Sequence, residues 1–198
     1  VKSRFILVQL LTLSRIPMAM IFGLTLNFCD WSYGVLLFCL ILLGLIEISD
    51  LLDGFSARKL GLVSEHGAML DPYADSVSRL IVFWSMASAQ YNSTHYIIFF
   101  VPLVMALRDV TVAYSRIILT KHNRSVAAKR SGKIKAIVQG VGAFIILLGP
   151  VYWSFIGSWP RHVLSWVIII ATAASVVEYA ASAISVSMEE NRKSHSDS

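Results

Sequence analysis

Apolar residues in this 198-residue chain are gathered into long runs, and short polar breaks separate them: "NFCDWSYG", the stretch after Arg58, "AQYNSTH", "TKHNRSVAAKRSGK" and "IGSWPRH". A run of about 20 such residues is long enough to cross hydrocarbon. Inside the bilayer every backbone polar group must find its partner within the protein, which restricts spanning segments to helices or closed barrels. The runs predict about six spanning helices, near residues 12–28, 32–52, 70–90, 95–119, 134–155 and 162–186. Composition agrees, with 56% hydrophobic residues, only 15% charged and a mean hydropathy of +0.67. The expected fold class is an all-α polytopic integral membrane protein, with a single membrane domain over residues 1–188 and a frayed polar tail over 189–198.

The leading stretch "VKSRFILVQLLTLSRIP" mixes Lys2, Arg4, Gln9, Thr12 and Arg15 with apolar residues, the pattern of an N-terminal interfacial helix feeding the first span. Pro17 is expected to kink or restart that helix. No small-residue cleavage site follows the first apolar run, so the chain is expected to begin as it stands. Lys2, Arg4, Arg58, Lys59, Arg108, Arg116, Lys121, Arg124, Lys129, Arg130, Lys133, Lys135, Arg192 and Lys193 all fall at one face of a six-span layout, against Arg161 at the other. Cytoplasmic loops carry the excess of Lys and Arg, which puts both termini in the cytoplasm.

On that same face lies "SDLLDGFSARKLGLVSEHGAMLDPYAD", a segment with four aspartates between apolar runs. Asp50, Asp53, Gly54 and Ala57 fall within an arc of about 100° on one helix, and Gly67, Asp71 and Asp75 within about 80° on the next. Joined by a short loop over residues 59–66, two antiparallel helices would turn the four carboxylates toward each other. Each pair of such charges at 4 Å costs about 4 kcal/mol even at an effective dielectric of 20, so a positive species is required. Oxygen-only ligands suit a hard dication, and four carboxylates suffice for two ions, Mg²⁺ or Mn²⁺ rather than Zn²⁺. Such a metal pair is the usual clamp on a diphosphate undergoing displacement. Gly54, Ala57 and Gly67 would let a bulky ligand lie against the backbone, and Arg58 would reach a phosphate in bidentate fashion. Taken singly these residues also read as helix packing, a boundary anchor and a solvated acidic face.

The combined pattern, D-x-x-D-G-x-x-A-R, eight residues, then G-x-x-x-D-x-x-x-D, resembles the signature of the CDP-alcohol phosphotransferase family of membrane enzymes at all eight fixed positions. The resemblance implies transfer of a substituted phosphate from a CDP-linked donor to an alcohol, with release of CMP. It implies that Asp50, Asp53, Asp71 and Asp75 bind the two ions and that Asp75 is also the general base. It further implies that Gly54, Ala57, Arg58 and Gly67 line the cytidine and diphosphate site, and that the protein is a homodimer.

Arg108, Arg116, Lys129, Arg130, Lys133 and Lys135 share the aspartates' side of the membrane, as a phosphorylated acceptor would need. Arg108 with Asp109, then Arg116, then "AAKRSGKIKAIVQ", and "LLTLSR" near the N-terminus, resemble the bacterial phosphatidylglycerolphosphate synthases. That resemblance implies CDP-diacylglycerol as donor, glycerol 3-phosphate as acceptor and the bacterial cytoplasmic membrane as location. Two departures stand beside it: Ile6, Leu7, Val8 and Gln9 replace an Asn-x-Pro-Asn element, and Lys135-Ala136 replaces Lys-Thr. Inositol phosphate, inositol and serine remain alternative acceptors, and a cation transporter with an acidic intramembrane site is the alternative of another class. Nucleic acid is not an expected partner. Arg79 is placed to pair with Asp75 at i, i+4, Glu47 and Glu178 are either satisfied polar contacts or part of a lipid route, and Cys29, Cys39, His66 and the "NST" and "NRS" sequons are assigned no role.

Overall fold

A computed structural model describes residues 2–60, 65–89, 96–121, 130–157 and 159–196, with side chains over 9–50, 70–89, 96–120, 132–151 and most of 155–188. The chain forms six α-helices: α1 (Lys2–Phe28), α2 (Tyr33–Leu60), α3 (Glu65–Ala89), α4 (Ile97–Lys121), α5 (Arg130–Ile156) and α6 (Trp159–Ser196). The protein is therefore an all-α, polytopic integral membrane protein, as its apolar runs require.

Three boundaries differ from the sequence expectation. The interfacial segment and the first span are one unbroken helix, α1, with Pro17 inside it. Proline is tolerated within membrane helices because neighbouring helices and hydroxyls re-satisfy the freed carbonyl, and Pro72, Pro102 and Pro150 are likewise intrahelical. Lys59 and His66 are helical rather than in a loop, since α2 ends at Leu60 and α3 begins at Glu65. The polar tail continues α6 as helix to Ser196 instead of fraying at residue 189.

Packing follows an inside-out logic. α1 rests on α2 and α3, α6 on α4 and α5, and the two groups meet where α3 touches α4 and α2 touches α5. Phe22, Leu43, Phe83, Met86, Ile98, Met105, Ile146 and Ile168 fill the interior, while equally apolar Leu24, Ile41, Leu103, Ile117, Ile145 and Ile170 face outward. Outward leucine and isoleucine cost nothing in lipid, so association relies on close packing and interhelical polar contacts. At Gly23 the helices α1 and α3 approach until an added Cβ would collide with Ser85 Oγ. Asn27 Nδ2 seals the same crossing by donating to Gly23 O at 2.9 Å and Ser85 O at 3.2 Å.

The inward face of α6 reads Arg161, Ser165, Ile168, Thr172, Ser175, Tyr179, Ala183, a buried row at three- and four-residue spacing that is mostly polar. Among the described residues five helices hold a stretch long and apolar enough to cross a membrane: Gln9–Phe28, Tyr33–Asp50, Ile97–Thr120, Gly132–Val151 and Trp159–Val186. The helix without one is α3, which carries Asp71, Asp75 and Arg79 along with several serines.

Candidate active site

Helices α1, α2 and α3 bring their ionisable side chains together. Asp50 closes the apolar stretch of α2, and Asp71 and Asp75 lie one turn apart on α3. Arg15 of α1, fully buried, donates through Nη1 to Asp50 Oδ1 at 2.5 Å and through Nη2 to Asp71 Oδ1 at 2.7 Å. Arg79 of α3, also buried, donates through Nε to Asp75 Oδ1 at 2.6 Å and through Nη2 to Glu47 Oε2 at 3.0 Å. Asp50 Oδ2 lies 4.0 Å from Arg79 Nη2, which joins the two groups into one network.

The partner that repays much of the carboxylates' desolvation is thus a pair of guanidinium groups. Planar forks bind carboxylates in fixed directions and stay charged in low dielectric. Arg79 was legible as an i, i+4 partner. Arg15 falls within the stretch expected to be interfacial, yet an arginine within an apolar helix is expensive unless matched, and that is the signal pointing to its role.

Four formal negative charges, on Glu47, Asp50, Asp71 and Asp75, face two positive ones, on Arg15 and Arg79, leaving a deficit of two. The carboxylates are reachable, with Asp50 34% and Asp71 44% exposed. An oxygen-only donor set short of two positive charges fits a hard dication such as Mg²⁺ or Mn²⁺. Among the described residues no three His, Cys, Asp or Glu side chains converge to hold an ion, because Asp50 and Asp71 turn to Arg15 while Asp75 turns to Arg79. The side chains of Asp53, Gly54, Ala57, Arg58 and Gly67 lie outside the described residues, although all five positions fall within α2 or α3.

A basic cluster occupies the junction of α4, α5 and α6. Arg108 is buried, donates to Asp109 Oδ1 at 2.7 Å and Ser175 Oγ at 3.2 Å, and stacks 5.8 Å above the Tyr179 ring. Buried Lys135 brings Nζ within 4.0 Å of the same Asp109 oxygen. Two cations share one carboxylate, a surplus of one positive charge that an anionic group would balance. The neighbouring Ala136 carbonyl accepts from Arg79 Nη1 at 3.4 Å, so consecutive residues of α5 touch the basic and the acidic clusters. Of the other expected acceptor contacts, Lys133 is exposed and Arg116 keeps a buried Nε that lacks a hydrogen-bond partner among the described residues. Lys129 and the side chain of Arg130 lie outside the described residues.

The family model for CDP-alcohol phosphatidyltransferase matches residues 5–179. The chain is 30% identical over 108 residues, 54% of its length, to the CDP-diacylglycerol–glycerol-3-phosphate 3-phosphatidyltransferase of Treponema pallidum. That match spans about half of the relative, 48%. It is 29% identical over 144 residues to the Bacillus subtilis protein of the same name, covering 70% of this chain and 69% of the relative. The Aquifex aeolicus protein of that name is 28% identical over 147 residues, 73% of this chain and 76% of its own.

Proposed function

We propose, from the premise that the chain belongs to the CDP-alcohol phosphatidyltransferase family, that it transfers a phosphatidyl group from CDP-diacylglycerol to glycerol 3-phosphate, yielding phosphatidylglycerolphosphate and CMP. The observation that carries this reading is the contact of α5 with both clusters, through Lys135 on Asp109 and the Ala136 carbonyl on Arg79. A cation-rich cluster beside the acidic network suits an acceptor that is itself a phosphate ester. The names of the bacterial relatives support the same choice.

Members of the family depend on a divalent cation. Asp50, Asp53, Asp71 and Asp75 are the residues that would hold two Mg²⁺ or Mn²⁺ ions, which supply neutralising charge for the diphosphate. The remaining work belongs to the chain. Gly54, Ala57, Arg58 and Gly67 seat the cytidine and diphosphate, and Arg108 and Lys135, with Arg116, Lys129, Arg130 and Lys133 at the approach, receive the acceptor's phosphate. Asp75 takes the proton of the acceptor hydroxyl as its oxygen bonds to the phosphatidyl phosphorus. The bond from that phosphorus to the bridging oxygen breaks, and CMP leaves with the electron pair. Catalysis is then orientation of two substrates plus electrostatic stabilisation.

With both termini cytoplasmic, the donor keeps its acyl chains in lipid while its headgroup meets a water-soluble acceptor. The protein acts as a homodimer in the bacterial cytoplasmic membrane. The test supplies purified protein with Mg²⁺ or Mn²⁺ and CDP-diacylglycerol, offers glycerol 3-phosphate, inositol phosphate, inositol and serine separately, and measures CMP release. Turnover with glycerol 3-phosphate is expected; turnover only with another acceptor overturns the assignment.

A further inference from the structure

Glu47 stands outside the repeated aspartate pattern, about one turn before Asp50 on α2. Its neighbours are mostly apolar: Leu43, Ile46, Val82, Phe83 and Ala143 line the same small cavity, together with Arg79. A carboxylate in such surroundings is costly unless a specific partner compensates it. The partner is Arg79, whose guanidinium is held from three helices at once: by Asp75 Oδ1 of α3 at 2.6 Å, Glu47 Oε2 of α2 at 3.0 Å and the Ala136 carbonyl of α5 at 3.4 Å. A planar fork fixed at three corners cannot rotate. The α5 backbone presses close on this arrangement, since a Cβ at Gly140 would lie 3.1 Å from Glu47 Oε2 and 3.5 Å from Arg79 Nη1.

We propose that Glu47 and Arg79 are positioning residues for Asp75: Glu47 fixes the plane of the Arg79 guanidinium, Arg79 Nε pins Asp75 Oδ1, and the second Asp75 oxygen is thereby presented to the acceptor hydroxyl. The inference rests on the transferase reading and deepens it. Without Glu47, Nη2 would turn toward Asp50 Oδ2, already 4.0 Å away, and draw Nε off Asp75. A displacement of about 1 Å at a reacting group lowers a rate by about a hundredfold.

The experiment uses the full chain in lipid nanodiscs with Mn²⁺. Glu47→Leu, which removes the acceptor for Nη2, should lower kcat by about 30-fold or more, with KM for CDP-diacylglycerol within about threefold of wild type. Glu47→Gln keeps an oxygen for Nη2 and should recover kcat to within about fivefold. Gly140→Ala, which shifts Glu47 without changing any charge, should cost about three- to tenfold in kcat. An unchanged kcat in Glu47→Leu, or a loss that Glu47→Gln does not recover, overturns the proposal. Should Glu47→Leu fail to fold, Gly140→Ala decides, and an unaltered kcat there is equally fatal. If the wild type releases no CMP with any acceptor, it is the transferase reading that fails. The relay is then judged on the structure of Gly140→Ala, where an Asp75 carboxylate undisturbed on Arg79 Nε overturns it.

Discussion

Arg15 binds carboxylates 35 and 56 positions away in sequence, and both reside on other helices. Deleting it leaves Asp50 and Asp71 facing each other without their shared counter-charge. Removing one partner of a fully buried pair costs about 3–5 kcal/mol, and the partial exposure of both aspartates reduces that here to about 2 kcal/mol. Arg15→Gln should therefore lower the thermal midpoint measured without divalent ions, and Mg²⁺ should restore more stability to the variant than it adds to wild type. Equal midpoints in metal-free buffer would contradict the assignment. Asp75→Asn should abolish CMP release while leaving the thermal midpoint within a few degrees of wild type. The aspartates themselves were legible because three- and four-residue spacing places them on one helical face. Their arginine was not, since a linear pattern carries no register between helices; Arg79 was legible only because it shares a helix with Asp75.

At the scale of elements, helix number and type were readable from the apolar runs, whereas helix ends were not. Hydropathy marks where hydrocarbon stops, yet α2 continues ten residues past Asp50 to Leu60 and α6 runs on to Ser196. The polar inner face of α6 was hidden for a related reason: serine and threonine barely perturb a long apolar window. In the interior they matter. Gln139 Nε2 donates to Thr172 Oγ1 at 3.1 Å, and Thr172 Oγ1 donates to Ile168 O at 2.7 Å, with Gln139 and Thr172 both fully buried. Thr172→Val keeps the shape and removes the hydroxyl, which should destabilise the protein by about 1 kcal/mol, the scale of an interhelical hydrogen bond in a membrane. Reversible unfolding in mixed micelles measures the loss, and a change of sign would exclude the bond as a stabiliser.

For the whole molecule, the acidic and basic clusters meet through adjacent residues of α5, so on the proposed function donor and acceptor specificity should be separable by mutation although the two clusters adjoin. Lys135→Gln should raise KM for glycerol 3-phosphate about tenfold to a hundredfold, the weight of a charged hydrogen bond, while KM for CDP-diacylglycerol stays within about threefold. Initial-rate measurements with each substrate varied in turn check the split, and equal changes in both constants would argue against an acceptor role. The spacing of the basic residues suggested this cluster, but only the packing of α4, α5 and α6 separates Arg108 and Lys135 from the exposed Lys133. The polar character of α3 reaches back to biosynthesis. A translocon releases a segment sideways when that segment prefers oil to water, and among the described residues α3 holds no stretch as long and apolar as those of the other five helices. Helices α1 and α4 pack against it, so α3 is expected to enter the bilayer together with its neighbours rather than alone.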